Sequence, residues 1–201
     1  MNVYVESNFV LECALLQGQW RSCEHILVLC ETGAVHLIVP AYCLIEPYET
    51  LIRRHKRRRN TKQEIDSELG QIARTEIYAD RLGGFRDITE LLIKSAEEEE
   101  ERLHEVCSRL LGSAEAIPLD APVLAKSAEC RDRHDFSPQD SIVYASVLCH
   151  RAANPASRSC FINRDRRDFD DEDVVEELAR YRCELLPDFD AGYRFLIDSA
   201  C

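Results

Sequence analysis

The sequence predicts an α/β fold organised on a mainly parallel sheet, on three observations. Short apolar, β-branched runs such as Val3–Val5 and Val35–Val39 have the character of strands buried on both faces. Segments with apolar residues three and four apart, the helical period, separate them. The crossover between the first two runs is long enough for parallel strands joined in the right-handed sense.

Taken in order, Val3, Tyr4 and Val5 form the first strand, and Phe9, Val10, Cys13 and Leu16 the inner stripe of the helix that follows. Glu6 stands between them, at the carboxyl end of a central strand, the edge where open α/β sheets bind ligands. Two readings fit it: Glu6 or Ser7 caps the helix, or Glu6 belongs to a site. Arg21–Glu31 is an amphipathic helix ending at Gly33, and Val35–Val39 is the second strand, closed by Pro40. Tyr42–Ile52 is helical and carries Glu46 just before Pro47. That proline either kinks the helix or marks its first turn, since it cannot donate a backbone hydrogen bond.

From Arg53 to Leu111 the pattern is predominantly helical, with a break at Gly83-Gly84 and an apolar face of Leu91, Leu92, Ala96, Leu103, Val106, Leu110 and Leu111. This block, about 53–111, reads as an insertion or cap within one domain spanning 1–201. Ala121–Cys130 is a short helix. Ser137-Pro138-Gln139-Asp140 opens the next, with Ser137 as N-cap, Pro138 at the first position and Asp140 three residues after the cap. Asp140 therefore either completes a capping box or serves a site. Arg158–Ile162 is a further strand that ends in Asn163, Arg164, Asp165, Arg166, Arg167 and Asp168. A helix over Asp171–Tyr181, a strand over Cys183–Leu186 and a closing helix over Phe189–Ala200 complete an order of β-α-α-β, a helical block, then α-β-α-β-α.

The net charge of -12 argues against a protein that coats nucleic acid through a general basic field. The chain is nonetheless polarised. Arg53, Arg54, Lys56, Arg57, Arg58 and Arg59 form a basic run, which reads either as a phosphate-contacting edge or as a solvated helix end, and Glu97–Glu101 is an unbroken acidic run expected to be a solvated segment. No apolar run approaches the ~20 residues that span a bilayer, and the start lacks a signal segment, so a cytoplasmic location is expected. The ten cysteines contain no C-x-x-C, and most are expected to be buried free thiols.

Glu6 and Asp165 at strand ends, with Glu46 and Asp140 at the mouths of helices, are four acids in equivalent positions. Carboxylates brought together repel unless a cation compensates. Oxygen-only donors select the hard ions Mg²⁺ or Mn²⁺, and a pair of such ions about 4 Å apart can activate water and stabilise the leaving oxygen of a phosphodiester. At this point the sequence resembles the PIN-domain family of nucleases. The motifs are V-Y-V-E-S-N near the start, I-V-P-A-Y-x-L-I-E-P after the second strand, S-P-Q-D-S-I-V-Y-A-S-V-L, and F-I-N-R-D-R-R-D-F.

The resemblance implies a three-layer α/β/α sandwich with a central, mainly parallel sheet, and metal-dependent cleavage of RNA as in the ribonuclease toxins of toxin-antitoxin pairs. It makes Glu6, Glu46, Asp140 and Asp165 the metal-binding and catalytic acids and Asp168 a fifth. Asn8 and Asn163 orient ligands or water behind them, and Arg164, Arg166 and Arg167 are the better placed groups to hold a scissile phosphate. An antitoxin-like partner and a homodimer come with it. One departure is Glu6, where the family pattern usually has Asp. The alternative functions are a catalytically weakened binding or protein-interaction module on the same fold, and a phosphatase-like metal hydrolase.

Overall fold

A computed structural model describes residues 1–79, 82–155, 158–164, 169 and 171–200. Strands β1 (Asn2–Val5), β2 (His36–Pro40), β3 (Glu115–Ile117), β4 (Ser159–Ile162) and β5 (Cys183–Leu186) form one sheet in the order β3-β2-β1-β4-β5. Every pairing is parallel, with Val3 opposite Leu37 on one side and Cys160 on the other. β1 is thus central, and its three buried residues, Val3, Tyr4 and Val5, are fully inaccessible. The direction of chain progression across the sheet reverses between β1 and β4, and their carboxyl ends frame the crevice where such sheets place ligands.

Helices cover both faces, which gives a three-layer α/β/α architecture. α1 (Ser7–Leu15), α2 (Trp20–Glu31) and α9 (Phe189–Ala200) pack as one layer, tied by Phe9 against Phe189 and Ser22 against Asp190. α6 (Ala121–His134), α7 (Pro138–Ala153) and α8 (Glu172–Arg180) form the other. There the buried Glu177 of α8 accepts hydrogen bonds from Arg133 (3.2 Å) and from the Tyr144 hydroxyl (3.1 Å), with His134 Nε2 at 3.3 Å. The fully buried Arg151 donates to the carbonyls of Tyr181 (2.7 Å) and Asn154 (2.8 Å), which ties the end of α7 to the turn before β5.

The helical block is a hairpin of two 31-residue helices, α3 (Tyr42–Ile72) and α5 (Gly83–Ser113), with a short α4 (Glu76–Ala79) near its tip. At ~1.5 Å per residue each arm is roughly 46 Å long. Pro47 lies inside α3 as its sixth residue, so of the two expectations the interior position holds, and the carbonyl of Cys43 loses its usual donor. The base of the hairpin packs on α1, whereas between Arg59 and Ser95 Thr89 alone is buried among the described residues.

Several expectations need correction. β3 is a fifth strand where the sequence pattern suggested four. Its residues Glu115, Ala116 and Ile117 make too short and polar a run to stand out, and its first residue is anchored by side chains: Glu115 meets His36 at 3.1 Å and His150 at 3.0 Å, while His150 Nδ1 is hydrogen-bonded to the Tyr4 hydroxyl at 2.7 Å. Leu16 is not on the inner stripe of α1. It adopts the left-handed conformation that ends the helix and is half exposed. Leu91 and Leu111 are exposed on α5, and Glu99, in the middle of the acidic run, is buried against α3. The cysteines are as expected: nine described thiols are free, eight buried and Cys149 partly so, and burial pushes seven of them above the ordinary thiol range.

Gly192 lets α9 approach β4 closely, since a Cβ there would stand 2.5 Å from Cδ1 and 3.1 Å from Cγ1 and Cγ2 of Ile162, which is fully buried. Gly192→Ala is expected to destabilise by about 1–3 kcal/mol through overpacking. A helical Gly→Ala without that contact would instead stabilise by about 1 kcal/mol. The sign of the shift in thermal midpoint decides between them.

Candidate active site

At the carboxyl edge of the sheet a cleft of about 360 Å³ is lined by Glu6, Ser7, Asn8, Glu46, Asp140 and Asn163, with Thr50, Ser137 and Phe169 among its other walls. Each acid arrives at the start of a helix. Glu6 is the N-cap of α1, Glu46 the fifth residue of α3 and Asp140 the third of α7. Helix N-termini carry partial positive charge and unpaired N–H groups, which favour carboxylates. That favours Glu6 and Asp140 directly, whereas Glu46 stands in the second turn of α3, past the unpaired N–H groups.

Of the two readings of Glu6, the cap is what the structure shows, and the same side chain lines the cleft. The Asn8 N–H donates to its Oε2 at 2.7 Å. The backbone N–H of Arg164, just past β4, donates to Oε1 at 3.4 Å, and the Asn8 side chain also bonds it. Burial outweighs these donors and pushes the Glu6 carboxyl up to about 7, with the charge of Glu46 adding to the rise. Asp140 is likewise both cap partner and cleft wall: its N–H donates to Ser137 Oγ at 3.1 Å, and the Ser137 hydroxyl donates back to its carboxylate. The capping-box hydrogen bond thus runs through the serine side chain. Glu46 accepts the hydroxyl of Ser7. Tyr42 stands near these acids; burial first, then the charges of Glu46, Glu49 and Asp140, push its hydroxyl up to about 12.

Ser7, Thr50 and Ser137 line the cleft and Tyr42 stands near its acids, neighbours that the motifs did not single out. Each neighbours an acid in sequence or one helical turn away, and that proximity was the available signal. Asn8 and Asn163 line the cleft beside Glu6. Asp165, Arg166, Arg167 and Asp168 lie outside the described residues. Arg164 forms an ion pair with Glu12, an acid that is 1% exposed and also accepts the Gln19 N–H at 2.7 Å. Its guanidinium therefore binds the loop after β4 to α1. In the basic run, Arg58 makes a two-pronged bond to Glu99 at 2.8 and 2.9 Å, with His55 3.8 Å from the same carboxylate, so the two oppositely charged runs meet across the hairpin. Arg53, Lys56, Arg57 and Arg59 are exposed and Arg54 partly so.

Among the described residues no group of three His, Cys, Asp or Glu is arranged to hold a metal ion. The donor chemistry nevertheless suits a hard divalent cation, since the ligands on offer are oxygens alone. A buried carboxylate that desolvation drives toward neutrality also gains strongly from a nearby cation. Among the described residues no helix is long and apolar enough to cross a membrane. A family model described as PIN domain matches residues 3–169. No curated protein matches the chain.

Two outcomes are expected. Because the Glu6 carboxyl is raised in the fold, the folded chain binds more protons than the unfolded one between its ordinary value of 4.5 and about 7. Stability of the metal-free protein then falls as pH rises through that window. Glu6→Gln, which keeps an acceptor for Asn8, should stabilise by up to about 3 kcal/mol at pH 8, a gain that fades as pH falls toward 4.5. Denaturant titrations at several pH values check this. Arg164→Met leaves Glu12 buried without its cation and should cost about 3 kcal/mol, largely recovered in the double variant with Glu12→Gln; denaturation midpoints of the single and double variants provide the test.

Proposed function

Since the chain belongs to the PIN-domain family, whose members have a nuclease-type fold, we propose that it is a divalent-metal-dependent ribonuclease hydrolysing RNA phosphodiester bonds. The observation that carries the reading is the convergence of Glu6, Glu46 and Asp140 on one cleft, from the starts of three separate helices, at the crevice between β1 and β4. Folding alone supplies no reason to gather three acids at one place, because each is repelled by the others.

In this reading Glu6, Glu46 and Asp140, joined by Asp165, would hold Mg²⁺ or Mn²⁺. When bound, the ion supplies Lewis-acid activation of water and charge stabilisation on a phosphoryl group. The chain's own residues do the rest. Asn8 and the Arg164 N–H fix the Glu6 carboxylate in one orientation. The hydroxyls of Ser7 and Ser137 do the same for Glu46 and Asp140. Phe169 and Val143 wall the cleft on its apolar side, which lowers the local dielectric and strengthens each charge interaction. Glu6, one methylene longer than Asp, reaches the cleft while serving as the cap of α1.

Asp140→Asn retains the acceptor for Ser137 but removes the charge. It is expected to lower metal-dependent cleavage of mixed RNA at least ~100-fold, since disturbing even an outer partner of a metal ligand costs 10–100-fold. Its circular dichroism and thermal midpoint in metal-free buffer should match the wild type. Retained cleavage rejects the site. RNA binding without cleavage, indifferent to Mg²⁺ or Mn²⁺, favours a binding module on this fold.

A further inference from the structure

We propose that one face of α3 is the track along which a single strand of RNA leaves the cleft, with Arg53 and Arg57 on its phosphates. This inference rests on the ribonuclease reading and adds to it where the rest of the substrate lies.

At 3.6 residues per turn, positions i, i+4, i+7 and i+11 fall along one line of a helix. In α3 those positions, counted from Glu46, are Thr50, Arg53 and Arg57. Glu46 and Thr50 line the cleft, and the Arg53 guanidinium donates to Thr50 Oγ1 at 3.1 Å, so the cation is continuous with the cleft wall. Arg53 and Arg57 are both exposed, whereas Arg54, partly buried, lies about 80° around the helix from Glu46. The other cations of the run are placed elsewhere. Arg58 is bonded to Glu99 on the opposite side, and Lys56 and Arg59 sit about 80° and 140° around the helix from Glu46. Six basic residues in the sequence thus resolve into a row of two beside the cleft, Arg54 and Lys56 each about 80° from Glu46 on opposite sides of that row, one structural arginine, and Arg59 facing away.

The track has an end. Asn60 and Thr61 are neutral, and Glu64, exposed and five full turns above Glu46, returns to the same line with a negative charge. From Glu46 to Arg57 is ~17 Å, which a stacked strand rising ~3.4 Å per phosphate covers in about five nucleotides. A single row of cations matches one backbone. A duplex presents two.

The test is binding of fluorescein-labelled, mixed-sequence RNA single strands of about 3, 6 and 12 nucleotides, followed by anisotropy across a salt series. Ca²⁺ is present to neutralise the carboxylates, and gels confirm that the RNA stays intact. Each phosphate contact on a single strand contributes about 0.7 to the slope of log affinity against log salt. Arg53→Gln with Arg57→Gln should therefore lower that slope by about 1.4, and affinity should level off between the 6- and 12-nucleotide strands. Lys56→Gln with Arg59→Gln removes the same charge from the same run and should change the slope by less than half as much. Equal changes in the two double variants, or none in either, overturn the track. So does a duplex of equal length bound as tightly and with the same dependence on Arg53 and Arg57. Wild-type protein that shows this pattern but never cleaves RNA in Mg²⁺ or Mn²⁺ sinks the ribonuclease reading and leaves the track standing.

Discussion

A carboxylate held inside the protein, at the end of its central strand, is the constraint around which the structure is arranged. Glu6 is 7% exposed, and desolvation alone would neutralise it. The fold answers with the amino end of α1, the N–H groups of Asn8 and Arg164, and the amide of Asn8. Those donors require α1 to begin at once after β1 and the chain after β4 to pass directly alongside. β1 and β4 are in register up to Val5 and Ile162, so the next residue of each strand reaches the crevice at the same level. The close packing of Gly192 on Ile162 fixes that level from below. The acid is costly to stability while it is ionised, and the same side chain caps α1.

Around that point the charges are sorted into two kinds. Some are consumed internally: Arg164 by Glu12, Arg58 by Glu99, Arg109 by Glu24 and Glu31, and Arg151 by backbone carbonyls. These fix loop to helix, arm to arm and hairpin base to α2. Others remain at the surface beside the cleft. The acidic run has the same division, since Glu99 locks the hairpin while its neighbours stay on the outside of α5. Charge of one sign in a continuous run is distributed by the helix period, and only one or two members of each run face the partner arm.

How much of this could be read from the residues depends on what signal each element carries. β1, α1 and the position of Glu6 were legible because an apolar run changes period at an acid. Asp140 was legible because Ser137 and Pro138 mark a helix start without ambiguity, although the spacing alone could not tell a cap from a cleft wall, and the structure shows that it is both. β3 was not legible, because Glu115 holds its place through His36 and His150, which are remote in sequence. Glu12 was hidden for a similar reason: an acid in an otherwise apolar stripe reads as an interruption until its cation, contributed from beyond β4, is seen. Which arginine of the run would be consumed depended on the register of α3 against α5, and no local pattern encodes that register. Asp165, Arg166, Arg167 and Asp168, read from the strand-end motif, fall outside the described residues.

The cysteines have a consequence for the chemistry of the whole molecule. Thiolate, not thiol, is the reactive species; burial hides eight of the nine described sulfurs and disfavours ionisation of those, such as Cys43 and Cys160, whose thiols it pushes up. They are spread over both helical layers and the sheet, from Cys13 and Cys23 to Cys160 and Cys183. The eight buried thiols among the described residues are therefore chemically quiet while the protein is folded. Alkylation or oxidation of those eight has to wait for the segment bearing each sulfur to open, and the order in which they react becomes a clock of which layer loosens first.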